Sequence, residues 1–305
     1  MTGHAPAAVY AKLVAVAAIW GGTFIAARVV ATVMSAPAAS LWRYLVASVA
    51  LLAFAVVQQR GWPRLDARQW LGVSLLGATG VMAYNLFFMA GMEKIPASRG
   101  SLIVALNPVA TMLGGALFFG EALTRMRVLG AVVALAGVVV VLGRGHPLDL
   151  FAGHVGAGEA LIFGAVLSWS AYTLIGKRVL AGLSPLVATT CAAWLGTAML
   201  VVIAALSGDL ALPPATIPVW VALTFLGVLG TGVAFVWFYD GLRLLGAART
   251  AVFVNLVPVF AIVFGVLLLG ESLEASMVLG GLVVVTGVWM INRNPQPVPV
   301  PVAAS

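Results

Sequence analysis

A small set of side chains able to hydrogen-bond, stack or carry charge stands inside otherwise apolar stretches of this chain. Trp20 and Thr23 lie three apart, as do Trp169 and Tyr172; Asn85 follows Tyr84, Asn107 precedes Pro108, and Asn255 stands one turn before Pro258. Trp237, Tyr239 and Arg43 complete the set. These types supply recognition rather than reaction. Amides offer several hydrogen-bonding valences, and a guanidinium takes a carboxylate in a two-pronged contact. The rings can equally pack against neighbours or form an interfacial belt, and the amides can equally hold helices together. A buried catalytic centre needs acids, histidines or a nucleophile with its base at one depth. His4, His146 and His154 fall outside the apolar stretches, and no acid pair falls inside one, so no enzyme is expected. Cys191 is the only cysteine, which excludes an intrachain disulfide and a thiolate metal site. No glycine cluster has the strand before it and the Gly-Lys-Ser/Thr after it that a phosphate loop requires. No cofactor is therefore expected.

The elements that position these residues are set by composition. Of 305 residues, 63% are hydrophobic and 8% charged, with a mean hydropathy of +1.13, whereas soluble domains carry about 25% charged residues. The solvent for most of this chain is lipid. The net charge of +7 does not point to nucleic acid, because the basic residues sit singly or in pairs at the ends of apolar runs, as topology signals do. A membrane-crossing helix needs about 20 mainly apolar residues. Runs of that kind predict ten spans, near 9–31, 38–57, 69–91, 99–119 and 126–143, then 157–176, 185–206, 218–240, 248–269 and 275–292. The polar stretch from Arg144 to Gly156 divides two sets of five, and residues 293–305, rich in proline, predict a disordered cytoplasmic tail.

The two sets repeat each other. Sliding the chain by 150 residues lays Arg99, Pro108, Gly120 and Glu121 on Arg249, Pro258, Gly270 and Glu271, while Trp20 and Arg28 fall on Trp169 and Lys177 at an offset of 149. Because the first copy of Trp20 has this internal match, the first span reads as a retained helix rather than a signal peptide. Five spans per repeat is an odd number, so the second copy enters the membrane from the opposite face. Such inverted halves exchange conformations around a central cavity, which is alternating access. Pro108 and Pro258 are expected to act as hinges, each cancelling a backbone hydrogen bond and leaving the carbonyls of Val104 and Val254 in need of partners; a static packing kink is the alternative. Basic residues collect on the side of the termini, with Lys12, Arg60, Arg64, Arg68, Arg125, Arg127, Lys177, Arg178, Arg243, Arg249 and Arg293 against Arg28, Lys94, Arg99 and Arg144 opposite. Both termini are thus predicted cytoplasmic.

A mid-helix proline paired with a terminal Gly-Glu, seen as Pro108 with Gly120-Glu121 and again as Pro258 with Gly270-Glu271, resembles the EamA repeat of the drug/metabolite transporter superfamily. The run Trp20-Gly21-Gly22-Thr23-Phe24 and Arg43 in the second span look like that family too, and the resemblance covers all but the tail. It implies an all-α integral membrane protein of the bacterial inner membrane, with two inverted five-helix repeats at 9–143 and 157–292 around a central cavity. It also implies a carrier of small metabolites, often an exporter, with amino acids, aromatic ones included, among the substrates of some relatives. Sugars or nucleosides are alternative cargo, and a lipid-handling or sensory protein is a different class that ten helices also permit. The expected partners are a small-molecule substrate and membrane lipid. A monomer is compatible with this layout, and the sequence does not fix the oligomeric state.

Arg43 is the sharpest single residue. Unpaired in a span, it costs on the order of 2.5 kcal/mol or more, and it either binds a substrate carboxylate, snorkels to the surface or holds a helix carbonyl. The second repeat has Ala192 or its neighbours at the matching place, so any such role is asymmetric. Glu93, Glu121, Glu159, Asp240, Glu271 and Glu274 all fall at span ends. No acid lies at mid-span where a proton relay or a cation counter-charge normally sits, which favours facilitated diffusion, exchange or weakly coupled export. Small multidrug carriers of the same superfamily hold cations with a glutamate in the first helix; this chain has none there, so a quaternary-ammonium exporter is disfavoured. Glu121 and Glu271 are expected to cap the following helix or to pair with a boundary arginine. Gly130, Gly137, Gly280 and Gly287, with Gly227, Gly230 and Gly232, are expected to bring helices close together.

Overall fold

A computed structural model describes residues 7–58, 64–143, 156–179, 183–245 and 247–292, so the expected tail and most of the divider lie outside the described residues. The chain forms α1 (Ala7–Ala31), α2 (Ala36–Gln58), α3 (Ala67–Leu76) running through a π-helical segment Gly77–Ala83 into α4 (Tyr84–Met92), α5 (Ala97–Val104), α6 (Asn107–Phe119) and α7 (Arg125–Leu142). The second repeat gives α8 (Ala157–Val179), α9 (Pro185–Leu206), α10 (Ile217–Thr224), a π-helical segment Phe225–Val233, α11 (Ala234–Leu245), α12 (Ala247–Val254), α13 (Val257–Leu269) and α14 (Ala275–Asn292). Among the described residues, ten helical runs are long and apolar enough to cross a membrane, from Ala7–Ala31 to Ala275–Asn292. Each matches one of the expected spans within a few residues. Large apolar side chains such as Leu117, Phe118, Leu206, Leu267 and Leu268 are exposed on the outside of the bundle, as a lipid-facing surface requires.

Helix ends follow from local sequence. Asp66 opens α3 with a capping box, accepting from the Gln69 amide at 2.8 Å while the Gln69 side chain accepts from the Asp66 amide at 3.0 Å. Gly120 and Gly270 close α6 and α13 with φ of 66°, a left-handed turn that a side chain would strain. Both turns send the glutamate that follows back over the helix end, where each carboxylate lies against Gly115 or Gly265.

Packing repeats the sequence duplication across an approximate twofold axis. At α7 and α14, a Cβ on Gly130 would come within 2.7 Å of the Gly287 carbonyl oxygen, and one on Gly137 within 2.7 Å of that of Gly280. These two crossings are images of each other in the repeat. The serine and threonine facing each other at α2 and α9, Ser48 and Thr197, share a hydrogen bond of 2.9 Å. Gly80 abuts the Tyr172 ring just as Gly230 abuts the Thr23 methyl, and Gly77 meets Gly196 just as Gly227 meets Ala47. The expected glycine seams are thus present, each bringing two backbones together where a methyl group does not fit.

The prolines do more than kink. The fourth and ninth spans are broken, at Ala105–Leu106 and Asn255–Leu256, and Pro108 and Pro258 sit in the first turn of the second half-helix. Proline is well suited to that position because the amide it lacks has no helical acceptor there. The break therefore lies just before each proline rather than at it. Around the breaks, Ala105 and Leu106 donate to the carbonyls of Ser101 and Ile103, and Asn255 and Leu256 to those of Val252 and Phe253.

Candidate substrate cavity between the broken helices

The two breaks face each other. Between them lies a cavity of about 280 Å³ bordered by Asn107 and Pro108 from one repeat, Asn255 and Pro258 from the other, and Trp169 and Thr111. Two discontinuous helices from opposite repeats thereby place irregular backbone and amide side chains around a pocket instead of against lipid. The Asn107 Oδ1 is buried without a hydrogen-bond partner. An unmet buried acceptor costs about 1–3 kcal/mol, so this oxygen is available to a bound donor.

An aromatic run leads away from the cavity. The Trp169 ring lies 5.2 Å from Tyr84 and 5.2 Å from Tyr172, and Tyr84 stacks on Phe88 at 5.5 Å with 10° between the planes. Arg43 is on the far side of this wall, 7% exposed, with its guanidinium 5.9 Å from the Phe88 ring and 5.7 Å from Tyr44. Nε and Nη1 of Arg43 are buried and have no hydrogen-bond partner. A second deeply buried arginine, Arg99, is neutralised: its Nε lies 3.1 Å from Glu159 and its Nη2 donates to the Leu142 carbonyl at 2.8 Å. The Arg99 to Glu159 contact is a close ion pair whose Nε angle falls outside hydrogen-bond geometry. Arg43 thus neither snorkels nor holds a helix carbonyl through those two nitrogens.

The remaining residues singled out from the sequence lie elsewhere. Trp20 donates through Nε1 to the Gly230 carbonyl at 3.1 Å and packs on Phe235 and Phe238, so it locks α1 to the π segment before α11. Thr23 spends its hydroxyl on the Trp20 carbonyl at 2.5 Å. Asn85 is fully buried, with Nδ2 donating to the Val81 carbonyl at 2.6 Å and Oδ1 unpartnered. Trp237 is half-buried on α11, and the side chain of Tyr239 lies outside the described residues. Trp20, Thr23, Trp237 and Asn85 do not border the cavity between the breaks. Thr111, whose hydroxyl donates to Ser170 at 3.2 Å, and Thr173 do border it or support it. Their signal was present: Thr111 is one helical turn from Asn107, and Thr173 one turn from Trp169.

The boundary glutamates take other partners than those expected. Glu271 does not cap the following helix; it reaches α5 in the opposite repeat, accepting from the amides of Ala97 and Ser98 at 2.6 and 3.0 Å and from the Ser98 hydroxyl at 2.6 Å. Among the described residues Glu121 pairs with Lys177 at 2.6 Å. The left-handed glycine before each acid folds it back across the bundle, away from the helix that comes next.

Ten apolar spans in two inverted sets, closed around a cavity at a pair of broken helices, define a multi-pass integral membrane protein of two-repeat all-α architecture. Comparison with known proteins gives its family. The chain belongs to the EamA-like transporter family, which matches residues 8–143 and again 156–293. It is 33% identical over 285 residues to a probable terminal-alkyne amino-acid exporter of Streptantibioticus cattleyicolor, covering 92% of each chain. It is 25% identical over 281 residues to the uncharacterized transporter YyaM of Bacillus subtilis, again covering 92% of each. A solved crystal structure that is 18% identical superposes with a TM-score of 0.64 over 94% of this chain and 98% of its own, a likeness of fold alone.

Proposed function

We propose that this protein is a secondary carrier that exports amino acids with apolar or aromatic side chains, or closely related compounds, by alternating access. The observation that carries this reading is the meeting of two broken helices from inverted repeats at a cavity bordered by amides, hydroxyls and an indole. Its volume of about 280 Å³ lies near the lower end of small-molecule pockets, ~300–1,000 Å³, and suits a single small solute. In this reading Asn107 Oδ1 and Asn255 receive the ammonium group and Trp169 flanks the side chain at the cavity, while Arg43, beyond the Tyr84 and Phe88 rings in the state described, takes the carboxylate when the repeats move and that wall parts. Pro108 and Pro258 keep the half-helices separate so that each pivots.

The name of the exporter relative supports an amino-acid cargo. Among the described residues no acidic one borders the cavity, which supports exchange or uncoupled flux over a proton relay. The bias of basic residues supports cytoplasmic termini, and the family supports a bacterial inner membrane. Binding tests the cargo directly. Intrinsic tryptophan fluorescence of purified protein is expected to change saturably with phenylalanine or leucine, and the change is expected to weaken in Trp169→Phe. A saturable response to sugars or nucleosides with none to amino acids would move the cargo to those classes.

A further inference from the structure

The two ends of the bundle are held differently, and the duplication explains how. At the end away from the termini, Glu271 caps α5 through three hydrogen bonds of 2.6 to 3.0 Å, and Arg28 donates to the carbonyls of Met92 and Glu93 at 2.5 and 2.6 Å, closing the end of α4. The short link from α4 to α5 is thereby gripped at both of its helix ends. The buried pair of Arg99 and Glu159 adds a third tie between α5 and α8 there. A carboxylate on helix amides and a guanidinium on helix carbonyls both match the helix dipole.

At the end that carries the termini, the sequence equivalents are Glu121 for Glu271 and Lys177 for Arg28. They bind each other at 2.6 Å, with side chains 28% and 44% exposed. Nearby Lys12 and Asp240 pair at 3.3 Å, also partly exposed. Among the described residues the links here are thus partly exposed ion pairs, which contribute only ~0–1 kcal/mol each, against part-buried charged helix caps at the other end. A crevice of about 1000 Å³ opens beside α3, α6 and α8 at the termini end, and crevices of about 580 and 740 Å³ open at the Glu271 end.

We infer that Glu271 and Glu121 are the working parts of two alternating latches, one at each end, and that each carboxylate exchanges a helix N-terminus of the opposite repeat for the basic residue beside it as the carrier switches. In the state described here Glu271 is latched on α5 and Glu121 is parked on Lys177. In the opposite state the inverted symmetry has Glu121 cap α12, Lys177 close the end of α11, and Glu271 parked on Arg28. Glu271 and Arg28 already border one crevice, so at that end the exchange requires Glu271 to release α5 and Arg28 to release the carbonyls of Met92 and Glu93. Because each state keeps one capped and one parked carboxylate, neither is strongly favoured. This inference goes beyond the carrier reading and rests on it.

The test reads access rather than flux. Val219 borders the Glu271 crevice and is 4% exposed, and the native Cys191 is 6% exposed. In a Cys191→Ala background, Val219→Cys in purified full-length protein is treated with a hydrophilic maleimide. Glu271→Gln is expected to raise the labelling rate about tenfold or more, since a charged cap is lost, and Ser98→Ala to raise it by a smaller factor. Glu121→Gln is expected to lower the rate, because the opposing latch cannot close, and the double variant to return towards the starting rate. Opposite effects from two sequence-equivalent changes are the signature of exchange. A rise in both glutamate variants, the mark of two plain structural caps, would overturn it, as would an unchanged rate in Glu121→Gln. If Glu271→Gln does not fold, Ser98→Ala against Glu121→Gln gives the same contrast. The readout needs no substrate, so its failure leaves the carrier reading to be judged by binding and flux.

Discussion

Replacing Glu159 by Gln removes the partner of a buried arginine while conserving side-chain shape. The two side chains are 8% and 6% exposed, with 3.1 Å between Arg99 Nε and Glu159 Oε1, so solvent screens the pair little. Glu159 also accepts from the Gly156 amide at 3.0 Å through Oε2, a bond that Gln preserves through its carbonyl. The change therefore isolates the charge. Leaving one member of a buried pair uncompensated costs roughly 3–5 kcal/mol. At about 1.6 °C per kcal/mol for a chain of this length, the midpoint of thermal unfolding in detergent is expected to fall by ~5–8 °C. The combination Arg99→Met with Glu159→Leu removes both charges, and it is expected to recover most of that loss, because a hydrophobic replacement of a buried pair is commonly neutral or stabilising. A Glu159→Gln midpoint equal to that of the unchanged protein would refute the reasoning. So would a double variant less stable than Glu159→Gln, since the cost would then lie in packing and not in the stranded charge.

Three further outcomes are expected. Arg43→Ala should raise the KM for transport about tenfold or more, the worth of a charged hydrogen bond of ~1.5–3 kcal/mol, with Arg43→Lys between the two; unchanged transport in Arg43→Ala would remove the carboxylate role. Pro108→Ala removes a residue that costs about 3 kcal/mol in a helix interior, so α5 and α6 can join; binding by fluorescence should persist while turnover falls, and Pro258→Ala should do the same in the other repeat. Gly130→Leu places a side chain where a Cβ already meets the Gly287 carbonyl at 2.7 Å, and its cost of ~1–3 kcal/mol or more should appear as a lower midpoint in the same unfolding assay.

The spans were legible because run length and polarity are one-dimensional properties, and lipid tolerates few exceptions to them. The first copy of Trp20 and the second of Pro258 likewise declared the duplication by position alone. The broken helices were only half legible: Pro108 marks the place, but whether a helix bends or stops depends on what stands opposite. The two asparagines show the same limit. Asn107 aligns with Val257 and Asn255 with Ala105, so repeat logic does not pair them, yet the facing breaks bring both to one cavity. The π segments at Gly77–Ala83 and Phe225–Val233 left only their glycines as a trace, since side-chain period does not report a shift of backbone hydrogen bonding. Glu271 was legible as a boundary acid and not as the cap of α5, because its partners are far away in the chain. Trp20 and Trp169 occupy equivalent places and still differ, one tied to a carbonyl and the other facing the cavity.

Counterflow in proteoliposomes tests the carrier reading most directly. Vesicles preloaded with a mixture of amino acids are given a labelled one outside, aromatic ones included, with and without a pH gradient. Transient accumulation that the unlabelled compound competes away, that is insensitive to the gradient and that falls in Arg43→Ala is expected. Absence of flux for every amino acid, in vesicles where the protein is folded and the amino acids are retained, would contradict an amino-acid carrier.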